Sequence, residues 1–205
     1  MAGVAVTVAV LSIWLLYQAA FEEKRKQLTN LAQSHTASME ALAAHFTSEG
    51  TPPDKILEVV LTQFSASNAG IKGFARTGET ILARRDGNSV VFLLHISGAR
   101  QKTPHSPIPF ASERAEHMYL ALSGEAGAAP GVDLAGNEVL AAYQPIKSLA
   151  LGIIVKIDLA ELRAPFLHAA GVSGIGAVLV LLLGTALFRR ISTPLVESLE
   201  QNISR

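Results

Sequence analysis

The chain has 205 residues, of which 49% are hydrophobic, and it carries no net charge at pH 7 and no cysteine. A mean hydropathy of +0.34 is too apolar for an ordinary water-soluble domain, and it favours a protein with membrane spans. The lack of cysteine excludes disulfides and thiolate metal sites.

Residues 2–21 form an uncharged run long enough for a helix of roughly 30 Å, the thickness of a bilayer hydrocarbon core. A cleaved signal peptide is the alternative, but the run lacks a basic segment before it and is longer than the usual apolar part. Trp14, Tyr17 and Phe21 are aromatics typical of a membrane interface. We therefore predict a retained transmembrane helix at residues 1–21.

Residues 22–168 are predicted to form one domain that starts with two helices. From Glu22 to about Ser48, apolar side chains recur at steps of three and four, which indicates a long helix continuous with the first span. A second helix is predicted after Gly50, with Thr51 as N-cap and Pro52 in the first helical position.

Strand patterns follow, interrupted by one loop and one short helix. Asp86-Gly87 is a strong hairpin signal between the first two strands. A last helix, containing Pro165 and kinked there, would follow Asp158 and continue into the second span. The predicted elements are strands 80–85 and 89–96, loop 97–111, helix 113–122, and strands 137–146 and 152–158.

Strands joined by short turns are antiparallel, so the fold class predicted for residues 22–168 is α+β, with a long N-terminal helix covering one sheet face. This segment holds 14 Lys and Arg against 15 Asp and Glu. The near balance excludes the basic surface of a nucleic-acid-binding protein.

Residues 169–188 form a second uncharged run and are predicted to be a second transmembrane helix. Arg189 and Arg190 follow it directly, which predicts a cytoplasmic location for residues 189–205. Two spans place the domain between them on the outer side. The expected location is thus a bacterial inner (cell) membrane, crossed twice, with a periplasmic or extracellular middle domain.

Three strings in this domain resemble Cache domains, the PAS-like extracytoplasmic sensors of bacterial receptors. They are residues 76–87 (RTGETILARRDG), 133–146 (DLAGNEVLAAYQPI) and 151–158 (LGIIVKID). The resemblance covers about residues 22–168 and implies a PAS-like antiparallel sheet that senses a small molecule. The chain does not match the amino-acid-binding signature of some Cache receptors, so the resemblance does not imply an amino-acid ligand.

Residues 189–205, with Arg190 to Leu195 at their centre, resemble the first helix of a HAMP linker. A plain helix leading into a cytoplasmic PAS domain fits equally well. The resemblance implies an output domain beyond Arg205, such as a histidine kinase of a two-component system, a cyclic-di-GMP enzyme, a nucleotide cyclase or a chemoreceptor domain. The chain itself shows no nucleophile motif, paired-carboxylate site or phosphate loop, so we expect it not to be an enzyme.

Arg84 and Arg85 are candidate ligand residues on the first strand. Successive strand residues face opposite sides of a sheet, so at most one of the two points into a given pocket. A guanidinium there could hold a carboxylate or phosphate with two hydrogen bonds. The alternative is a solvated arginine paired with Glu79 or Asp86.

Asp133 and Tyr143 are the other candidate ligand residues, because a PAS-like pocket is usually lined near this strand pair. An acid at position 133 could accept from a ligand ammonium or hydroxyl. The alternative for Asp133 is turn chemistry before Gly136, in which its side chain accepts from nearby backbone N–H groups. The six histidines show no spacing that predicts a metal site, and no cofactor is expected.

The sequence therefore predicts the signal-input half of a membrane receptor. Small residues along both spans, such as Gly3 and Thr7 in the first and Ala170 and Gly174 in the second, favour close helix approach and hence a homodimer. Two rival functions remain open. The outer domain could bind only a protein partner or dimerise without a ligand, and a membrane-tethered hydrolase is a third class that lacks its expected motifs.

Overall fold

The structure, a computed structural model, describes residues 2–68, 75–97, 100–110, 112 and 115–203. It confirms an α+β chain with a long N-terminal helix and an antiparallel sheet. The helices are α1 (Ala2–Ser48), α2 (Pro53–Asn68), α3 (Glu116–Leu122) and α4 (Leu159–Ile203), with a 3-10 turn at Lys147–Leu149. The strands are β1 (Glu79–Asp86), β2 (Ser89–Ser97), β3 (Arg100–Lys102), β4 (Ile108–Pro109), β5 (Gly127–Val132), β6 (Glu138–Ile146) and β7 (Leu151–Asp158).

The chain divides into two compact units, Met1–Gln18 with Ala164–Arg205, and Ala19–Arg163. In the first unit, α1 and α4 expose large apolar side chains, and Leu16 and Leu183 each expose more than half of their surface. By length and composition, helical stretches Val6–Ser48 and Leu159–Leu187 are candidate membrane spans. They overlap the two predicted spans.

The second unit contains the whole sheet and is called the outer domain below, after its predicted location. Its strand order is β3-β2-β1-β7-β6-β5, with β4 paired to β2, and every pair is antiparallel. The predicted hairpin is present: Asp86 pairs with Ser89, and Gly87 in the turn has φ +59°, a conformation that favours glycine.

Both faces of the sheet are covered. Ile81 and Ala83 pack with Met118 of α3 in one apolar cluster. Leu82 between them faces the other way and is also fully buried. On α1, buried residues recur along one stripe, as the periodicity predicts: Leu28, Ala32, Met39 and Ala43.

Several element boundaries differ from the predictions. Helix α2 begins at Pro53, because the carbonyl of Pro52 already accepts from the N–H of Ile56 and so lies just before the helix. Residues 97–111 contain the short strands β3 and β4, and β5 was not predicted at all. Helix α3 begins at Glu116, and its predicted start at Glu113 lies outside the described residues. Helix α4 continues through Pro165.

Candidate ligand-binding cavity

A cavity of about 420 Å³ lies in the outer domain, on the sheet face that also carries α3. This volume is within the range of small-molecule sites. Its walls come from alternate strand residues, from α3, from the β5–β6 turn and from the segment that precedes β1. The strand residues that line it are Glu79, Ile81, Phe92, His95, Ser97, Lys102, Val132, Val139, Ala141, Ile154, Lys156 and Asp158.

A β-bulge places two of these side chains in the cavity together. Ala83 pairs with Phe92, whereas the preceding Leu82 pairs with Leu94, so β2 contains one extra residue at Leu93. Beyond the bulge the alternation of β2 is reversed. As a result His95, three positions after Phe92, lines the same cavity as Phe92 does.

Lys156 is held between two carboxylates inside the cavity. Its Nζ lies 2.9 Å from Oε2 of Glu79 and 2.5 Å from Oδ2 of Asp133. The side chains of Lys156, Asp133 and Glu79 expose only 9%, 9% and 15%. On the edge strand β3, the half-exposed Lys102 donates to Oε1 of Glu79 at 2.8 Å. We call these four residues the Lys156 cluster.

Glu79, Asp133 and Lys156 stay ionised near neutral pH. Burial alone would raise the pKa of Glu79, but His95, Lys102 and Lys156 lie beside its carboxylate and lower that pKa strongly. Burial also opposes ionisation of Asp133. The hydrogen bonds from Lys156 and from two backbone N–H groups outweigh this effect, and the pKa of Asp133 is lowered. The same two carboxylates raise the pKa of Lys156 against the effect of its own burial.

Two histidines border the cluster. The rings of His95 and His105 are stacked with centroids 4.9 Å apart, and the His105 ring also meets Phe92 edge-on. Nε2 of the buried His95 lies 3.2 Å from Oε2 of Glu79, but without the alignment of a hydrogen bond. Burial lowers the pKa of His105, and His95 and Lys156 lower it further, whereas Glu79 and Asp133 act in the opposite direction.

The rim of the cavity is tied to the start of α4. Glu161, in the first turn of α4, accepts from the backbone N–H groups of Arg76 and Thr77 at 2.9 and 2.8 Å and from the Thr77 hydroxyl. Oγ1 of Thr77 in turn accepts from the N–H of Asp158, the last residue of β7. We call Thr77, Asp158 and Glu161 the rim latch.

Of the four predicted ligand residues, the structure brings Asp133 into the cavity. Its Oδ1 accepts from the N–H groups of Ala135 and Asn137, both at 2.9 Å, so the predicted turn chemistry is present as well. Tyr143 is half-buried beside the apolar cluster, 5.7 Å from the His117 ring, and does not line the cavity.

Arg84 and Arg85 are both exposed, and neither lines the cavity. The guanidinium of Arg85 lies 4.0 Å from the centre of the Phe110 ring, and its Nε donates to the carbonyl of Gly87. Ligand contacts by these two arginines, as by Tyr143, stay a prediction.

Sequence reasoning missed Glu79, His95 and Lys156, although one signal was available. Lys156 is the single charge between Leu151 and Ile157, a run that is otherwise apolar, and a lysine in the middle of a buried strand needs an acidic partner. Among the described residues, no group of three His, Asp or Glu side chains is placed to hold a metal ion.

No protein-family model matches the chain, and no curated protein or solved structure shows significant similarity to it.

Proposed function

We propose that the chain is the signal-input module of a bacterial membrane receptor, in which the outer domain binds a small molecule and passes the change to the second span. The observation that carries this proposal is the cavity and its buried Lys156 cluster. Burying ionised groups costs several kcal/mol each, and such groups in a cavity are typical of binding sites. The resemblance to Cache domains supports the same function.

The connection between the cavity and α4 supports the relay. Lys156 lines the cavity from β7, which ends at Asp158, and α4 begins at the next residue. The rim latch adds noncovalent bonds between the entry to β1 and the first turn of α4. A ligand that favours one arrangement of these groups over another would shift the population of that arrangement. We propose that a homodimer of this chain converts the shift into a change between its two copies of α4.

Ligand binding is tested by a thermal-melt panel on the full chain in lipid nanodiscs. The panel contains small carboxylates, amines, amino acids, phosphates and neutral amides. A compound present at 100 times its Kd adds about 2.7 kcal/mol to the free energy of unfolding, which should raise the Tm by about 5–10 °C.

Two matched variants show whether such a shift comes from the cavity. Ala135 is exposed and lines the cavity, so Ala135→Trp should fill its mouth and abolish the shift. Ala126 is exposed outside the cavity, and Ala126→Trp should keep the shift. A well-folded chain that responds to no compound would refute ligand sensing and favour the rival role of protein-partner binding or dimerisation.

A further inference from the structure

The hydrogen-bonding capacity left in the Lys156 cluster discriminates between classes of ligand. An ammonium group has three N–H donors, and Lys156 spends two of them on Glu79 and Asp133. Lys102 spends one on Glu79 within the described residues. Arg76 also lines the cavity, and within the described residues its guanidinium makes no hydrogen bond. Cationic donors are therefore available to a bound molecule.

The acceptors of the same cluster are already occupied. Oε1 of Glu79 accepts from Lys102 and Oε2 pairs with Lys156. Oδ1 of Asp133 accepts from two backbone N–H groups, and Oδ2 accepts from Lys156. A ligand ammonium at the Lys156 cluster would have to displace one of the chain's own donors, whereas a ligand carboxylate there would meet spare ones.

One wall of the cavity is apolar and suits a hydrocarbon body. This wall is formed by side chains of β1, β2, β6, β7 and α3 that carry no polar group. Burying apolar ligand surface against them is favourable in proportion to its area. These side chains are Ile81, Phe92, Met118, Val139, Ala141 and Ile154.

We infer that the cavity takes an organic monoanion with an aromatic or branched aliphatic body, its carboxylate meeting Lys156 and Lys102. This inference rests on the proposed function and narrows its ligand. A further acid limits how much negative charge the ligand can carry. Asp158 also lines the cavity, and within the described residues its carboxylate accepts no hydrogen bond. Asp158 disfavours a second negative charge on the ligand, and it makes a zwitterion the rival occupant.

The test uses the full chain in nanodiscs and calorimetry with compounds that share one body. These are 3-phenylpropionate, its neutral amide 3-phenylpropionamide, the amine 3-phenylpropylamine and the zwitterion phenylalanine, with propionate lacking the ring. The acid should bind at least about 10-fold tighter than the amide, amine or zwitterion, as loss of one charge-assisted hydrogen bond implies. Propionate should bind on the order of 100-fold weaker, because it buries no ring.

Substitutions of two lysines on different surfaces show whether the acid binds in the cavity or responds only to the overall charge of the protein. Lys102→Gln should weaken binding of the acid about 10-fold and strengthen binding of the amine, since Oε1 of Glu79 then loses its cationic partner. Lys147→Gln, at an exposed position outside the cavity, should change neither affinity.

The outcomes that overturn the inference are distinct from those that overturn the proposed function. Tighter binding of the amine or of phenylalanine would refute the monoanion but leave ligand sensing in place. Equal effects of the two lysine variants would place the anion outside the cavity. If neither these compounds nor any other in the panel binds, both proposals fail.

Discussion

Lys156 of β7 lies between the carboxylates of Glu79 and Asp133. The stability of the outer domain depends on the pairing of this one positive charge with the two negative charges. Lys156→Met keeps the length of the side chain but leaves Glu79 and Asp133 without their shared cation. Removing one partner of a buried pair costs about 3–5 kcal/mol, and we expect the free energy of unfolding to fall by that amount at pH 7. Pulse proteolysis of the outer domain in urea, with the chain in nanodiscs, measures it.

The pH dependence of this loss has a definite sign. Folding lowers the pKa values of both carboxylates. The stabilisation is therefore present above their unfolded pKa values of about 4 and is lost as the pH falls through their folded values. The difference between wild type and Lys156→Met should be widest at pH 7 and should narrow as the pH falls below about 4. A difference independent of pH would contradict this account, and Lys147→Met, at an exposed position, should change stability by less than about 0.5 kcal/mol.

For individual residues, the sequence could predict only those features that are set by neighbours within a few positions along the chain. The turn at Asp133 could be predicted because an acid shortly before Gly136 is a turn signal within a few residues. Glu79 lay one residue outside the predicted strand 80–85. The face on which His95 lies is set by the bulge at Leu93, and a bulge depends on pairing with another strand, which no local pattern shows.

The elements that join the sheet to α4 meet at the rim latch. Glu161→Ala would remove the acceptor of the Arg76 and Thr77 N–H groups. Hydrogen exchange of these two amides should then become about 10-fold faster or more, since one hydrogen bond contributes about 1 kcal/mol or more when its acceptor is charged. Exchange rates resolved by residue in the full chain measure this.

The matched control for the latch is Glu125→Ala, an exposed acid in the turn before β5, which should leave both amides unchanged. Burial opposes ionisation of Glu161, but the bonds from Thr77 and Arg76 lower its pKa. The latch should therefore hold at neutral pH and weaken as the pH falls through that lowered value. Equal exchange in wild type and Glu161→Ala would show that Glu161 does not hold the rim.

Strands β1, β2, β6 and β7 could be predicted, whereas β3, β4 and β5 could not, and the case of β5 has a physical reason. Its residues are Gly127–Val132, with two glycines and Pro130, a composition poor in strand formers. A Cβ at Gly127 would lie 2.7 Å from the Tyr143 hydroxyl, and one at Gly131 would lie 2.3 Å from the His117 ring. The glycines of β5 thus leave room for the rings of Tyr143 and His117. Because β5 is an edge strand, it also tolerates proline.

At the scale of the whole molecule, the proposed relay can be read from cross-linking in α4. The chain has no cysteine, so a single introduced cysteine reports on its own position. Gly174 and Gly176 lie two residues apart, about 200° around the helix. A Cβ added at either glycine would have no other atom within 4 Å, so both positions have room for a side chain.

Gly174→Cys and Gly176→Cys should therefore fold and sample nearly opposite faces of α4. In nanodiscs, disulfide formation between copies should be faster at one position, and a panel compound that raises the Tm should change that rate. Ala135→Trp in the same chain should remove the effect of the compound. If the compound changes neither rate in any background while still binding, the relay through α4 is wrong.

The two candidate spans were evident from composition because a long uncharged run needs no partner to be recognised. The cavity was not, because it is bounded by side chains from six strands and α3 that are far apart in sequence. Only the paired sheet brings Glu79, Lys102 and Lys156 together.

The place of β7 inside the sheet limits the kind of motion it can impart. It is hydrogen-bonded to β1 along one edge and to β6 along the other. A slide by one residue would break both ladders and turn Lys156 to the opposite face. A piston stroke driven by this strand is therefore costly, whereas a change in sheet twist keeps every pair intact. Strand β7 can therefore rotate or tilt α4, but it cannot readily shift α4 along its axis.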